Sequence, residues 1–230
     1  MNEELNLVDC IQGDAEWFAA RIGHLTGSRI ADAIRKPKGK NTGELECRYN
    51  LRLELAVERV TNKPAEHYVS AWMERGLELE PLARAAYELR TERETQQVGF
   101  VMHPVIVWAG CSPDGLVGDE GMVEFKVPKP TTHAEYLIAE CVPEIYQRQM
   151  LWQLACCPER GWNDFVSWCP DFPEPLDLFI CRLKRDDAKI REMETEAQKF
   201  LAEVEATVTQ LKEGLEGLLR KSVTRLMERV

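Results

Sequence analysis

Apolar positions along this chain recur first at helical spacing, then in short alternating runs, then at helical spacing again. That order predicts the architecture. Behind Asp14, a candidate N-cap, Trp17, Phe18 and Ile22 share one helix face, so residues 14–23 read as a short helix that Gly23 ends. A second helix begins near Ser28, a plausible N-cap, with Ile30, Ala33 and Ile34 as its apolar stripe. Residues 36–43 form a basic loop rich in Gly and Pro. Long helices follow over about 44–60 and 71–90, the latter bent near Pro81, which removes a helix hydrogen bond. Strand patterns appear at Gln97–His103, Val105–Ala109, Gly115–Val117 and Met122–Val127. Pro143, at the favoured first helical position, opens a helix to about Cys157. Strands return at Phe165–Cys169 and Leu176–Leu183, and from Asp186 the chain reads as one long helix. The fold class is therefore α/β (α+β), a central mixed sheet flanked by helices. We expect one domain over 1–230, with a core at about 10–185 and a helical tail at about 186–230. The tail spaces Leu201, Val204, Val208, Leu211, Leu215 and Leu218 in 4–3 alternation. Over so short a run this predicts packing on the chain's own body, with a subunit or partner contact as the sharper reading.

The 230 residues suffice for a well-buried core, and 44% hydrophobic with 30% charged is an ordinary globular balance. No apolar run reaches membrane-spanning length and the start is acidic, so a cytoplasmic protein is expected. The eight cysteines are irregularly spaced, with no C-x-x-C, and read as reduced thiols, mostly in the core. An iron–sulfur cluster is the alternative, and the spacing matches no recognisable cluster pattern. A net charge of −10 argues against a protein that simply coats DNA. A local basic surface remains available from Arg29, Arg35, Lys36, Lys38, Lys40, Arg48 and Arg52, or these are a solvated charged face. The four histidines show no metal-ligand spacing, and Trp17, Trp152 and Trp168 read as core.

The candidate chemistry lies in Ser112-Pro113-Asp114-Gly115 and Val123-Glu124-Phe125-Lys126. In a strand, residues two apart share a face, so Glu124 and Lys126 project side by side. The connection Gly118–Gly121 folds two strands into a hairpin that brings Asp114 beside Glu124. Two carboxylates at one point favour a hard divalent cation such as Mg²⁺. A lysine beside them orients or deprotonates a water, or stabilises charge on a phosphate. Asp114 alone is a common turn residue. Glu124 and Lys126, by contrast, have the apolar flanks of a central strand, where charge needs a partner or a metal.

Four motifs in order give these residues a family. They are Trp17-x3-Arg21-x-Gly23-x2-Thr26-x-Ser28, Gly76-x3-Glu80-x2-Ala83, Cys111–Leu116 followed by Glu124-Phe125-Lys126, and Tyr146-x2-Gln149. Together they resemble the lambda exonuclease or YqaJ-type phage recombination nucleases of the PD-(D/E)xK superfamily, over residues 17–149. The resemblance implies that Asp114, Glu124 and the carbonyl of Phe125 ligate metal, with Glu80 bound directly or through water. It implies Lys126 as the catalytic lysine, and Gln149 with Tyr146 positioning the water or the phosphate. Arg21, Thr26 and Ser28 would grip a 5′-phosphate and Met73 would wedge into the duplex end, while Lys38 and Lys40 of the basic surface are expected to contact DNA. Simple helix-end roles for Arg21 and Ser28, and a surface role for Glu80, are the plainer readings.

The implied activity is 5′→3′ exonuclease digestion of linear double-stranded DNA with two Mg²⁺ ions, for which Mn²⁺ substitutes. It would leave 3′ overhangs for recombination. The implied assembly is a homotrimeric ring, working with a single-strand annealing protein. The alternatives are an endonuclease on the same scaffold and an inactive DNA-binding or assembly protein. One departure stands out: the family's second glutamine position holds Leu151, and the next glutamine is Gln153.

Overall fold

Helix-forming spacing dominates the first ninety residues, and helices form there. The structure, a computed structural model, describes residues 5–37, 43–65 and 71–227, without the side chains of 71–73 and 215–227. Strand Leu7–Val8 (β1) precedes helix Ala15–Arg21 (α1), and the Asp14 carboxylate caps α1 by accepting from Trp17 N at 2.8 Å. Strand Leu25–Thr26 (β2) leads into a single 3-10 turn, Gly27–Arg29, and a short helix, Ile30–Ala33 (α2). Ser28 is thus not an N-cap: it lies inside the turn, and Arg29 stands before α2. Helices Glu46–Thr61 (α3) and Ala71–Thr91 (α4) follow, α4 running through Pro81.

Strands Thr95–Gln96 (β3), Phe100–Met102 (β4), Ala109–Cys111 (β5), Gly115–Val117 (β6) and Gly121–Lys126 (β7) come next. The segment expected as a strand over 105–109 is instead a turn. His103 Nδ1 accepts from Val105 N at 3.2 Å and Ile106 N at 3.0 Å, Trp108 has φ 63°, and Val105 and Val107 face solvent. Helix Pro130–Ala139 (α5), which the apolar spacing did not reveal, has its proline in the first turn. In helix Glu144–Cys156 (α6), Pro143 occupies the cap rather than the first helical position. Strands Trp162–Trp168 (β8) and Leu178–Lys184 (β9) and helix Asp187–Met227 (α7) complete the order.

The mixed α/β expectation holds, with the strands divided between two sheets. The smaller runs β1-β4-β5-β2 and the larger β3-β6-β7-β8-β9. In the larger sheet only β7 and β8 pair in parallel, because α5 and α6 cross over between them. That crossover puts β7 in the middle. α6 lies over one of its faces, where Met122 joins the main core, and α4 lies over the other, where Ala83 and Tyr87 pack with Val123 and Phe125.

The tail packs on its own body, as its short seam predicts. Ile190, Met193, Ala197, Phe200, Leu201, Val204 and Val208 are buried with Leu51, Leu55 and Trp152, and each large aliphatic or Phe side chain among them contributes roughly 1.5–3 kcal/mol when fully buried. Leu211 is half-exposed, and the side chains of Leu215 and Leu218 lie outside those described. This packing uses much of the expected basic surface. Arg48 pairs with Glu203 and Glu44, Arg52 with Glu44 and Thr207, Arg29 with Glu54, and Lys36 with Glu196. Lys38 and Lys40 lie outside the described residues.

His103 is 6% exposed, lies against the Trp152 ring and faces Glu194 at 3.3 Å, and burial pushes its pKa from 6.5 down to about 4. The unfolded chain therefore binds a proton that the folded chain refuses, so this contribution is complete above pH 6.5. It is lost as pH falls toward 4, by on the order of 3 kcal/mol. Urea melts at pH 7.5 and 5 should show this loss in the wild type and a flatter profile in His103→Gln. At Gly121 an added Cβ would lie 2.1 Å from the Trp162 ring, itself covered by the Arg182 guanidinium at 3.5 Å. Gly121→Ala should cost about 1–3 kcal/mol by overpacking, measured by the same melts.

Candidate active site

Strand alternation in β7 sends Glu124 and Lys126 to the face that α6 covers, as their spacing predicts. Asp114 immediately precedes β6, whose register with β7 pairs Gly115 with Val123. This puts Asp114 opposite the Glu124 position, where its Oδ2 accepts from Phe125 N at 2.7 Å. In the ladder a residue's C=O leaves the strand on the same side as its N–H, so the Phe125 carbonyl also faces the Asp114 side.

Glu124 is 1% exposed and compensated on both oxygens. Lys126 Nζ pairs with Oε1, which also accepts from Gln149 Nε2 at 2.5 Å, while Oε2 accepts from Gln153 Nε2 at 2.6 Å. Gln149 and Gln153 are one turn apart on α6, hence on one face. Gln153 rather than position 151 thus supplies the second amide to Glu124, and Leu151 points into the core. Tyr146, one turn before Gln149, puts its ring 5.2 Å from Lys126 Nζ and stacks on Phe165.

Charge here is crowded. Burial raises the Asp114 pKa well above its ordinary value, and Glu124 adds to the effect. Burial likewise raises that of Glu80, against the pull of Arg84 and Lys126. For Lys126 burial opposes the charge, but Glu124 and Asp114 outweigh it and hold the ammonium protonated. Excess buried negative charge of this kind is what a divalent cation relieves. Among the described residues no three His, Cys, Asp or Glu side chains are grouped so as to hold an ion by themselves. Glu80 instead engages Arg84 at 3.3 Å. Two carboxylates and a backbone carbonyl, completed by water, fit Mg²⁺, which keeps much of its hydration.

The N-terminal motif meets this cluster. Arg21 Nη1 and Trp17 Nε1 both donate to Ser112 Oγ, at 3.0 and 2.9 Å, two residues before Asp114. Trp17 is therefore not core: it is part-exposed and carries the Arg21 guanidinium 4.0 Å over its ring. Burial pushes the Arg21 pKa down to about 10, which leaves it a poorly hydrated cation at neutral pH. Thr26 pairs with Gly110 in the small sheet and lies 3.4 Å from the Ser28 hydroxyl, which is exposed. Gly27 sits against Gln149. Arg21, Thr26, Ser28, Asp114, Glu124, Lys126, Gln149 and Tyr146 thus join through contiguous contacts. The Met73 side chain lies outside those described.

Three supports were not read from the sequence. Gln12 Nε2 donates to Val98 O and Pro113 O, both at 2.8 Å. Glu58 and Arg59 hold the N–H and C=O of Gly23, whose φ of 70° suits glycine, at 2.7 and 2.9 Å. Arg84 donates to the Asp114 carbonyl at 2.7 Å and to Thr95 Oγ1 at 2.8 Å. Its position four residues after Glu80 on a helix was the available signal. Arg84→Leu should cost about 1.5–3 kcal/mol, since it leaves the carbonyl beside the site unpaired. Urea melts measure that loss.

Residues 16–159 match the family described as YqaJ-like viral recombinase domain. Among solved structures, an alkaline exonuclease (LHK-Exo) from Laribacter hongkongensis is 41% identical, with a TM-score of 0.80 over 89% of this chain and 100% of that one. The same exonuclease in complex with dAMP gives 42% identity and a TM-score of 0.81 over the same shares. A phage-related exonuclease from Haemophilus somnus 129PT shares the fold at a TM-score of 0.62 with 12% identity, over 84% of this chain and 96% of that one. No curated protein matches this chain. The family match over well over half the chain, and the close structural relative, bear out the resemblance carried by the four motifs: this chain belongs to the YqaJ-like viral recombinase family.

Proposed function

We propose that this chain hydrolyses linear double-stranded DNA from its 5′ ends, with Mg²⁺ at Asp114, Glu124 and the Phe125 carbonyl, and leaves 3′ overhangs for recombination. One observation carries the reading. Arg21, a desolvated cation suited to a terminal phosphate, is tied through Ser112 to the loop that bears Asp114. A 5′-phosphate held there lies beside the hydrolytic cluster, which favours cutting near a chain end. The relative bound to dAMP is an alkaline exonuclease, and a nucleoside monophosphate is the unit such an enzyme releases.

Bound Mg²⁺ would supply Lewis-acid stabilisation of the phosphate and a more acidic water. Lys126, which Glu124 and Asp114 hold protonated in the metal-free protein, would orient or deprotonate the attacking water, or stabilise charge on the phosphate. Gln149 positions the water or the phosphate, with the Tyr146 ring forming one wall beside Lys126. Glu80 would help hold a second Mg²⁺, and Mn²⁺ would substitute for Mg²⁺. A homotrimeric ring in the cytoplasm, handing its 3′ strand to a single-strand annealing protein, fits this activity. Among the described residues no helix is long and apolar enough to cross a membrane.

The test compares linear duplexes bearing a 5′-phosphate or a 5′-hydroxyl with a closed circle, in Mg²⁺. We expect loss of the phosphorylated duplex from its 5′ ends, slower loss of the hydroxyl duplex, and an intact circle. Lys126→Ala should lower the rate by roughly 10²–10³-fold, the size of losing one donor to the developing charge. Arg21→Ala should erode the preference for a 5′-phosphate by about 10- to 100-fold, the worth of a charged hydrogen bond. Cutting of the circle would establish an endonuclease instead. A folded protein that digests nothing in Mg²⁺ or Mn²⁺ would point to a binding or assembly role.

A further inference from the structure

Behind Gln153 lies a second buried amide. Asn163 sits on β8 opposite Met122, 0% exposed, and its Nδ2 donates to Gln153 Oε1 at 2.6 Å. Strand alternation places Asn163 on the face of the sheet that carries Glu124.

The polarity of this relay is forced. An ionised Glu124 only accepts hydrogen bonds, so Gln153, itself 1% exposed, must present its NH₂ to Oε2. Its carbonyl then faces the sheet, where only a donor is tolerated, and Asn163 supplies one. Asn163 Oδ1 in turn is buried, with no donor reaching it among the described residues. A residue kept only for packing would avoid that orphan, because an unpaired buried acceptor is costly. The relay thus holds the Glu124 carboxylate from its Oε2 side, while Gln149 and Lys126 hold Oε1. A carboxylate torsion is intrinsically broad, and this arrangement leaves it one orientation.

We infer that Asn163 is a positioning residue, which fixes the Gln153 amide and through it orients Glu124 toward the divalent cation. The inference rests on the reading of Glu124 as a metal ligand. Asn163→Asp places a carboxylate against Gln153 Oε1, drives the amide to turn over, and sets an acceptor against Glu124. Asn163→Ala merely removes the donor.

The experiment is calorimetric titration of Mn²⁺ into DNA-free wild-type protein, Asn163→Ala, Asn163→Asp and Glu124→Gln, each confirmed folded by circular dichroism. The Mn²⁺ Kd should rise by about 10- to 100-fold in Asn163→Ala, the range typical of losing a partner that orients a metal ligand. It should rise further in Asn163→Asp. The Mg²⁺ concentration giving half-maximal DNA hydrolysis should rise in parallel, with the rate largely recovered at saturating Mg²⁺. A merely structural residue would instead lower the melting temperature, or the rate at every Mg²⁺ concentration, with Kd unchanged. Should neither Asn163 variant fold, Gln153→Met, which removes the donor to Oε2, decides by the same readout. Wild-type binding that is lost in Glu124→Gln but kept in the folded variants of this relay would overturn the positioning role alone. Wild-type protein that binds no Mn²⁺ would overturn the metal reading, and the positioning role with it.

Discussion

Glu124 sits 1% exposed on the middle strand of a five-stranded sheet. An isolated carboxylate in such a place costs several kcal/mol, or takes up a proton, unless its surroundings compensate it. The surroundings here are organised for that purpose. Lys126 supplies the charge from the same strand, α6 supplies two amide donors one turn apart, and β8 supplies the asparagine behind them. α6 must cross between β7 and β8 to deliver those donors, and that crossover makes the two strands parallel.

The same compensation explains how the site can work on an anion in a chain of net charge −10. Three carboxylates gather around one lysine and one arginine. Burial and mutual repulsion push Asp114 and Glu80 toward the protonated state. On the proposed reading a divalent cation would reverse that local sign and let the cluster attract phosphate. Arg21 carries positive charge to the adjacent loop, hydrogen-bonded to Ser112 and lying over Trp17, and among the described residues no carboxylate hydrogen-bonds to it. Much of the other basic charge of the N-terminal third is spent elsewhere, pinning α3 to α7 through Arg48, Arg52 and Arg59.

Much of this was legible in the chain. Period-two alternation at 122–127 located β7, and the Asp114 to Glu124 spacing implied a hairpin that the register of β6 and β7 confirms. Helical spacing located α3, α4 and α6 to within two residues at each end, and the start of α7 to within one. Failures came where a side chain far along the chain, or a local cap, outweighed the pattern. Val105 and Val107 look like a strand, but His103 captures the next backbone N–H groups and turns the chain. Trp17 looks like core, yet its indole N–H is spent on Ser112, ninety-five residues away.

The sequence by itself determined the residue types of the site, because strand and helix periods dictate which neighbours share a face within a few residues. It thereby specified Glu124 beside Lys126, Tyr146 and Gln149 one turn apart, and Glu80 and Arg84 one turn apart. Only the tertiary structure decided which of these meet across elements: Gln153 with Asn163, Arg84 with the Asp114 carbonyl, Gly27 with Gln149. Those pairings are set by the stacking of α6 and α4 on opposite faces of one sheet, and no local periodicity carries the separation or direction of a contact between distant segments.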